Sequence, residues 1–389
     1  MGKNRSITTN IIIFIIMACI AIIDNTKGIF IPAFKESFNS NNTSMGIMLT
    51  ACSLGYILFT YLGGILCEKL SQKKVINIGL ISIIISVLIV SVSGNFVLLL
   101  AGMFLTNMGI AFVMIGLNTL IPVLFVSCQA IMMNISHCCY GFGSTIGQLA
   151  IGRILNNGVN WRYVFIGISV IFTIVFILVF KVRLPKVESQ NKTKLTLAVA
   201  FKEKYMYLYA LALGTYVFAE MGMSNWVVNY LIEGYGFDQG RAATLLSTFF
   251  FFLTIGRLCG GFIAEKIGHL QSVIGSLIVA LALMVIGLVI GHGAIVLLCV
   301  SGLFFAIVYP TTVTTISRVF ESNTSYITGV ILTLASTISM IMNFIIGRLN
   351  DVIGTSTAFY LIPVSLGVSV LFMVTIFIGK REVFTRGGK

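Results

Sequence analysis

Hydrophobic residues run along this chain in long blocks, and the polar residues gather in short breaks between them. The blocks cover residues 11–34, 44–67, 75–93, 97–124, 131–155, 161–180, 206–232, 242–264, 271–291, 294–317, 325–350 and 356–379. Each is near the length of about 20 residues that a helix needs to cross the hydrocarbon core of a bilayer. Twelve transmembrane helices are predicted. The boundary between the fourth and fifth is the least marked, because the connector around residues 125–130 carries no charge.

Composition makes the same case. Of the 389 residues, 58% are hydrophobic and 10% charged, with a mean hydropathy of +1.03. A soluble domain carries about 25% charged residues, so this chain lacks the polar surface that water requires. Thirty-eight glycines suit helices that approach one another closely in lipid. The first block is too long for the apolar core of a signal peptide and is expected to be retained. The eight cysteines, at 19, 52, 67, 128, 138, 139, 259 and 299, lie in or beside the blocks. They form no spaced extracellular set and no zinc pattern. No nucleotide-binding, metal or nucleophile–base motif is present, so an enzyme, a cofactor and direct ATP drive are not expected.

The charge of +13 is a matter of topology. With both termini inside, 18 of the 25 basic residues fall in cytoplasmic segments, seven of them between Lys181 and Lys204. Only Lys35, Arg162 and Arg241 fall in outer loops, while Lys27, Arg153, Arg257 and Arg348 fall within blocks. Basic residues mark the cytoplasmic side, and anionic lipid is their natural partner. A nucleic-acid partner is not expected. The chain is read as a monomeric, multi-pass protein of the cytoplasmic (inner) cell membrane, with both termini cytoplasmic.

The polar stretch 181–205 divides six blocks from six. This predicts an N-terminal half over 1–180, a cytoplasmic linker over 181–205 and a C-terminal half over 206–389. The halves echo each other. Gly63-Gly64-Ile-Leu-Cys-Glu68-Lys69 returns as Gly260-Gly261-Phe-Ile-Ala-Glu265-Lys266, 197 residues later. Ile151-Gly152-Arg153 returns as Ile346-Gly347-Arg348, 195 residues later. Parallel six-helix repeats are the architecture of the major facilitator superfamily, with the substrate held between the halves near the midplane. The segment from Gly64 through Glu68 and Lys69 to Lys73 and Lys74 resembles that superfamily's loop signature between helices two and three, with Ser71 in place of the usual glycine. An acid at a helix end among basic groups can form a charge network that holds a gate in one state. Gly64, Glu68, Lys69, Lys73 and Lys74, with Arg257, Gly261, Glu265 and Lys266 in the second half, are therefore the gating candidates.

Two carboxylates lie deep within blocks, Asp24 in the first and Glu220 in the seventh, 196 residues apart. An ionisable group at that depth costs about 2.5–3.5 kcal/mol on insertion scales and marks a functional site by default. Desolvation favours the neutral, proton-carrying form of either acid. Either could instead bind a substrate hydroxyl or amine, or a sodium ion. Lys27 stands three residues after Asp24, so a structural ion pair is the competing reading, whereas Glu220 has no obvious partner on its own helix. By repeat symmetry the two acids should face one another across one cavity.

Further polar residues are candidates for its lining. In the fifth block Asn134, His137, Gly141, Thr145 and Gln148 recur at helical spacing, and such a stripe must face protein or water. Asn118 stands in the fourth block, and Asn225, Trp226 and Asn229 follow Glu220. Trp226 could stack on a sugar ring or sit in the interfacial belt. Tyr309 precedes Pro310, whose kink can expose carbonyls or act as a hinge.

Four of these motifs resemble the fucose/glucose–proton symporter family. Asp24-Asn25 with Ile31-Pro32-Ala-Phe34 is similar to its first-helix motif. Asn134 with His137, Gly141, Gly143 and Gly147 is similar to its N-x-x-H-x-x-x-G-x-G run. Ala219-Glu220 with Trp226 and Tyr230-Leu231 matches its seventh-helix stretch, and Tyr309-Pro310-Thr311 its tenth-helix Y-P-T. The resemblance implies that Asp24 lies in the sugar site and takes part in proton coupling. One departure stands out: Met114 occupies the place of the fucose permease's second acid, which leaves Glu220 as the candidate for that role. The expected function is secondary active symport of a small polar nutrient, such as a sugar, with a proton or sodium as coupling ion. The alternatives are a drug–proton antiporter and a non-transporting nutrient receptor. Gln148 after Gly147, where antiporters carry proline, weighs against efflux.

Overall fold

The structure is a computed structural model that describes residues 3–125, 129–182, 203–320 and 324–385. Every regular element among them is helical. In chain order the elements are α1 (Lys3–Asp24), α2 (Lys27–Phe38), α3 (Asn42–Lys69), α4 (Gln72–Ser91), α5 (Phe96–Leu124), α6 (Gln129–Asn156) and α7 (Trp161–Lys181). After the central segment come α8 (Lys204–Tyr235), α9 (Gln239–Ile267), α10 (His269–Ile290), α11 (Val296–Val319), α12 (Thr324–Ile353), α13 (Thr355–Ala358), α14 (Leu361–Gly379) and α15 (Arg381–Thr385). Taken as continuous stretches, α1–α2 and α13–α14 complete a set of twelve membrane segments.

Ten of the twelve are long and apolar enough to cross a membrane. The exceptions, α6 and α8, are 28 and 32 residues long. Their apolar runs are interrupted by the polar groups considered below, which is why their hydropathy is low. The first segment also departs from expectation. It breaks at Asn25 and Thr26, between Asp24 and Lys27. Asn and Thr are weak helix formers that compete for backbone hydrogen bonds, and the Thr26 hydroxyl donates back to Ile22 O at 2.6 Å.

Contacts divide the chain into two compact units, one of residues 1–192 with 238–244 and one of 193–237 with 245–389. The expected linker over 181–205 lies for the most part outside the described residues. In the first unit α4 packs on α5 and α7, α3 on α5, and α1 on α6. In the second α10 packs on α11 and α14, and α8 on α12 and α14. Three pairings therefore recur: α4–α5 with α10–α11, α4–α7 with α10–α14, and α1–α6 with α8–α12.

Glycines set the close approaches. A Cβ on Gly63 of α3 would run into Ile115 and Phe112, and one on Gly260 of α9 into Ile307. Gly64 and Gly261, the expected gating glycines, have nothing within 4 Å. The packing glycine is thus the first of each pair, not the second. The turn after each of these helices is also repeated. Ser71 sits at φ 149° and Gly268, its counterpart 197 residues on, at φ 105°. That backbone region favours glycine, so the first half carries a serine where the conformation prefers the glycine kept by the second.

Candidate functional site

In each unit the acid expected from the sequence lies in a cluster of polar side chains. In the first, the break between α1 and α2 places Asp24 and Lys27 side by side. Lys27 Nζ donates to Asp24 Oδ1 at 2.7 Å, and the side chains are 12% and 23% exposed. The pair expected from spacing is therefore formed, but it is not alone. Tyr140 of α6 donates its hydroxyl to Asp24 Oδ2 at 2.7 Å. Asn25 Nδ2 donates to Tyr140 OH at 2.9 Å and to Ser144 Oγ at 2.8 Å. Gln148 Nε2 donates to the Asn25 carbonyl at 3.1 Å, while its buried Oε1 has no partner. Small residues allow this approach: a Cβ on Gly143 would strike the Ala18 backbone, and one on Gly147 would meet Ile22.

The contacting face of α6 is thus Tyr140, Ser144 and Gln148, at steps of four. Of these three residues the expected stripe included Gln148 but not Tyr140 or Ser144. Thr145 donates back to Gly141 O at 3.0 Å within its own helix. His137 lies half-buried one turn before Tyr140. The Asn134 side chain is outside the described residues. Asn118 of α5 is half-buried, with Oδ1 unpaired.

In the second unit Glu220 is 7% exposed on α8. It has partners that the sequence reading did not anticipate. Tyr216, one turn earlier on the same helix, places its hydroxyl 2.6 Å from Glu220 Oε2. The same hydroxyl lies 2.7 Å from the Phe305 carbonyl of α11. Arg257 Nη2 of α9 lies 3.2 Å from Glu220 Oε1. Arg257 was expected in gate packing; the structure places it on the buried acid. Beyond Glu220, Asn225 Nδ2 donates to Asn343 Oδ1 of α12 at 3.2 Å. Asn229 Nδ2 donates to Glu233 Oε2 at 3.0 Å, and Thr355 also hydrogen-bonds that oxygen. Trp226 is fully buried with its Nε1 unpaired, which removes it from the interfacial belt. Tyr309 is 37% exposed.

The loop candidates sit at helix ends. Lys73 Nζ donates to Phe180 O at 2.9 Å and Val182 O at 2.6 Å, so it satisfies the last carbonyls of α7. Glu68, Lys69, Lys74, Glu265 and Lys266 are exposed. An apolar cavity lined by Met223, Val227, Leu231 and Cys299 contains none of the acid-cluster groups. Among the described residues, no three His, Cys, Asp or Glu side chains gather as metal ligands.

Sequence comparison decides the family. Residues 13–336 match the description of the Major Facilitator Superfamily. The chain belongs to that superfamily. It is therefore a membrane transport protein by family and not an enzyme. It is 21% identical over 381 residues to a "Protein TsgA homolog" of Buchnera aphidicola subsp. Baizongia pistaciae, covering 97% of each chain. It is 24% identical over 356 residues to a glucose/galactose transporter of Brucella abortus, covering 86% of each. Among solved structures it resembles the Escherichia coli fucose:proton symporter, with a TM-score of 0.66 at 20% identity, over 95% of this chain and 99% of that one. At that identity the structural likeness speaks for the fold alone.

Proposed function

We propose that the chain is a secondary active transporter that works by alternating access and carries a small polar nutrient, a sugar, together with protons. The observation that carries this reading is the Asp24 cluster. A membrane-embedded acid stands at a helix break, bound to Lys27 and Tyr140, beside a buried Gln148 oxygen that has no partner. Carboxylate, amide and phenol groups of this kind recognise sugar hydroxyls, and unpaired buried polar atoms are costly unless a ligand or water satisfies them. Asp24 and Glu220 are assigned to proton coupling. Lys27, Asn118, Asn134, His137, Gln148, Asn225, Trp226, Asn229 and Tyr309 are assigned to the substrate path. Glu68, Lys69, Lys73, Lys74, Glu265 and Lys266 are assigned to cytoplasmic gating, and the concentration of basic residues supports an orientation with both termini inside. Similarity to a glucose/galactose transporter supports a hexose as cargo.

The test is uptake of labelled glucose, galactose and fucose into proteoliposomes with and without an inside-alkaline proton gradient. Gradient-stimulated accumulation is expected, and Asp24→Asn should abolish it. Export of a cationic drug against the same gradient, without sugar uptake, would replace this reading with antiport.

A further inference from the structure

The second acid cluster contains one proton fewer than its contacts require. The Tyr216 hydroxyl is within 2.7 Å of two acceptors, Glu220 Oε2 and the Phe305 carbonyl. A phenol has a single O–H to donate. If Glu220 is a carboxylate, one of these short oxygen–oxygen approaches has no hydrogen in it, in a place where all three groups are buried. If Glu220 carries a proton, the chain closes: Glu220 donates to Tyr216, and Tyr216 donates to Phe305 O. The third contact agrees. Charge-assisted N–H···O⁻ bonds are about 2.7–2.9 Å. Lys27 meets Asp24 at 2.7 Å, whereas Arg257 stands 3.2 Å from Glu220 Oε1, outside that range.

We propose that Glu220 holds a proton in this conformation, and that Tyr216 is a positioning residue that transmits its protonation state to α11. This inference rests on the proton-coupled reading above. On deprotonation the Glu220 O–H bond breaks and its proton leaves to water. Tyr216 keeps its own proton but turns it toward the new carboxylate, with Arg257 on the other oxygen. Phe305 O then loses its side-chain donor. That carbonyl lies beside a weak point, because Pro310 has no N–H and leaves the carbonyl of Ala306 without its helical partner. One side-chain hydrogen bond is therefore made or released where α11 is already least supported. Tyr216, Arg257 and Tyr309 are the titratable groups set against Glu220 among the described residues.

Infrared spectroscopy of the purified full-length protein, paired with transport, tests this. Near neutral pH the wild type should show a carboxylic-acid carbonyl band that Glu220→Gln removes. Tyr216→Phe should shift that band upward, since the acid loses its acceptor, which a merely structural tyrosine would not do. In proteoliposomes, Tyr216→Phe should keep sugar counterflow within about twofold of wild type yet lower gradient-driven accumulation about tenfold, the size expected of one coupled hydrogen bond. Absence of the acid band in the wild type overturns the proposal, as does a Tyr216→Phe variant with an unshifted band or unimpaired accumulation. If Tyr216→Phe does not fold, the wild-type and Glu220→Gln spectra still decide whether the acid is neutral. A wild type that shows the band but no gradient-driven uptake defeats the symport reading and leaves the protonation intact.

Discussion

Tyr140 and Tyr216 each bring a phenol oxygen to the membrane-embedded acid of their own unit, at 2.7 Å from Asp24 and 2.6 Å from Glu220. The repeat does not generate this match. At offsets of 195 and 196 residues, the counterparts of the two tyrosines are Ala335 and Ile20. In the first unit the cation comes from the turn beside the acid and the phenol from α6. In the second the phenol comes from the acid's own helix and the cation from α9. The acids obey the repeat, while their partners were assembled separately in each half. Tyr140→Phe deletes the donor to Asp24 and the acceptor of Asn25, and leaves the packing of the ring in place. Sugar uptake by this variant should have an apparent affinity weaker by about tenfold, with thermal stability lowered by about 1 kcal/mol. A full-affinity Tyr140→Phe would remove Tyr140 from the site.

Lys27 and Asp24 form a largely buried ion pair. Removing one member of such a pair strands the other and costs about 3–5 kcal/mol. Lys27→Met should therefore lower the unfolding temperature sharply in detergent. The double variant Asp24→Asn/Lys27→Met should recover most of the loss, because no unpaired charge remains, yet stay inactive in gradient-driven uptake. If the double variant transports normally, the pair is only structural.

How much of this was legible beforehand depends on how each feature is encoded. The twelve segments and the two acids follow from hydropathy and from the cost of burying charge, both one-dimensional signals. The partners of the acids are not one-dimensional. Tyr140, Ser144 and Gln148 share a face of α6 through their spacing of four, but that this face meets α1 depends on the helix's rotation, which spacing alone does not give. Arg257 was visible as a charge within a block, but its pairing with Glu220 joins residues 37 apart on two different helices. The Tyr216–Glu220 spacing of four was readable, yet attention to charge alone passed over a phenol. The helix break at Asn25–Thr26 hid inside a stretch that is apolar on average.

The glycine pairs give a sharp contrast. Gly63→Ala and Gly260→Ala place a Cβ against side chains of the neighbouring helix, whereas Gly64→Ala and Gly261→Ala meet open space. The first two should lower stability by about 1–3 kcal/mol through overpacking. The second two should be neutral or slightly stabilising, since alanine is the better helix former by about 1 kcal/mol. Thermal unfolding of the four purified variants checks this, and equal effects within each pair would contradict the assignment of the packing face.

Ser71 tests the backbone itself. It holds φ 149°, a conformation that costs a residue with a Cβ about 1–3 kcal/mol when the surroundings impose it. Its hydroxyl returns part of that by accepting from Lys74 N, but at 3.4 Å the bond is long. The equivalent turn in the second half uses Gly268 at φ 105° and has no side-chain cap. Ser71→Gly should therefore raise the unfolding free energy by about 0.5–1 kcal/mol, the lost cap being smaller than the strain relieved. Gly268→Ser should do the reverse and more strongly, because an added Cβ there would also press on the Gln271 side chain. Unfolding of both variants in the same detergent decides the matter: a less stable Ser71→Gly would mean that the serine cap, not the backbone angle, governs this turn.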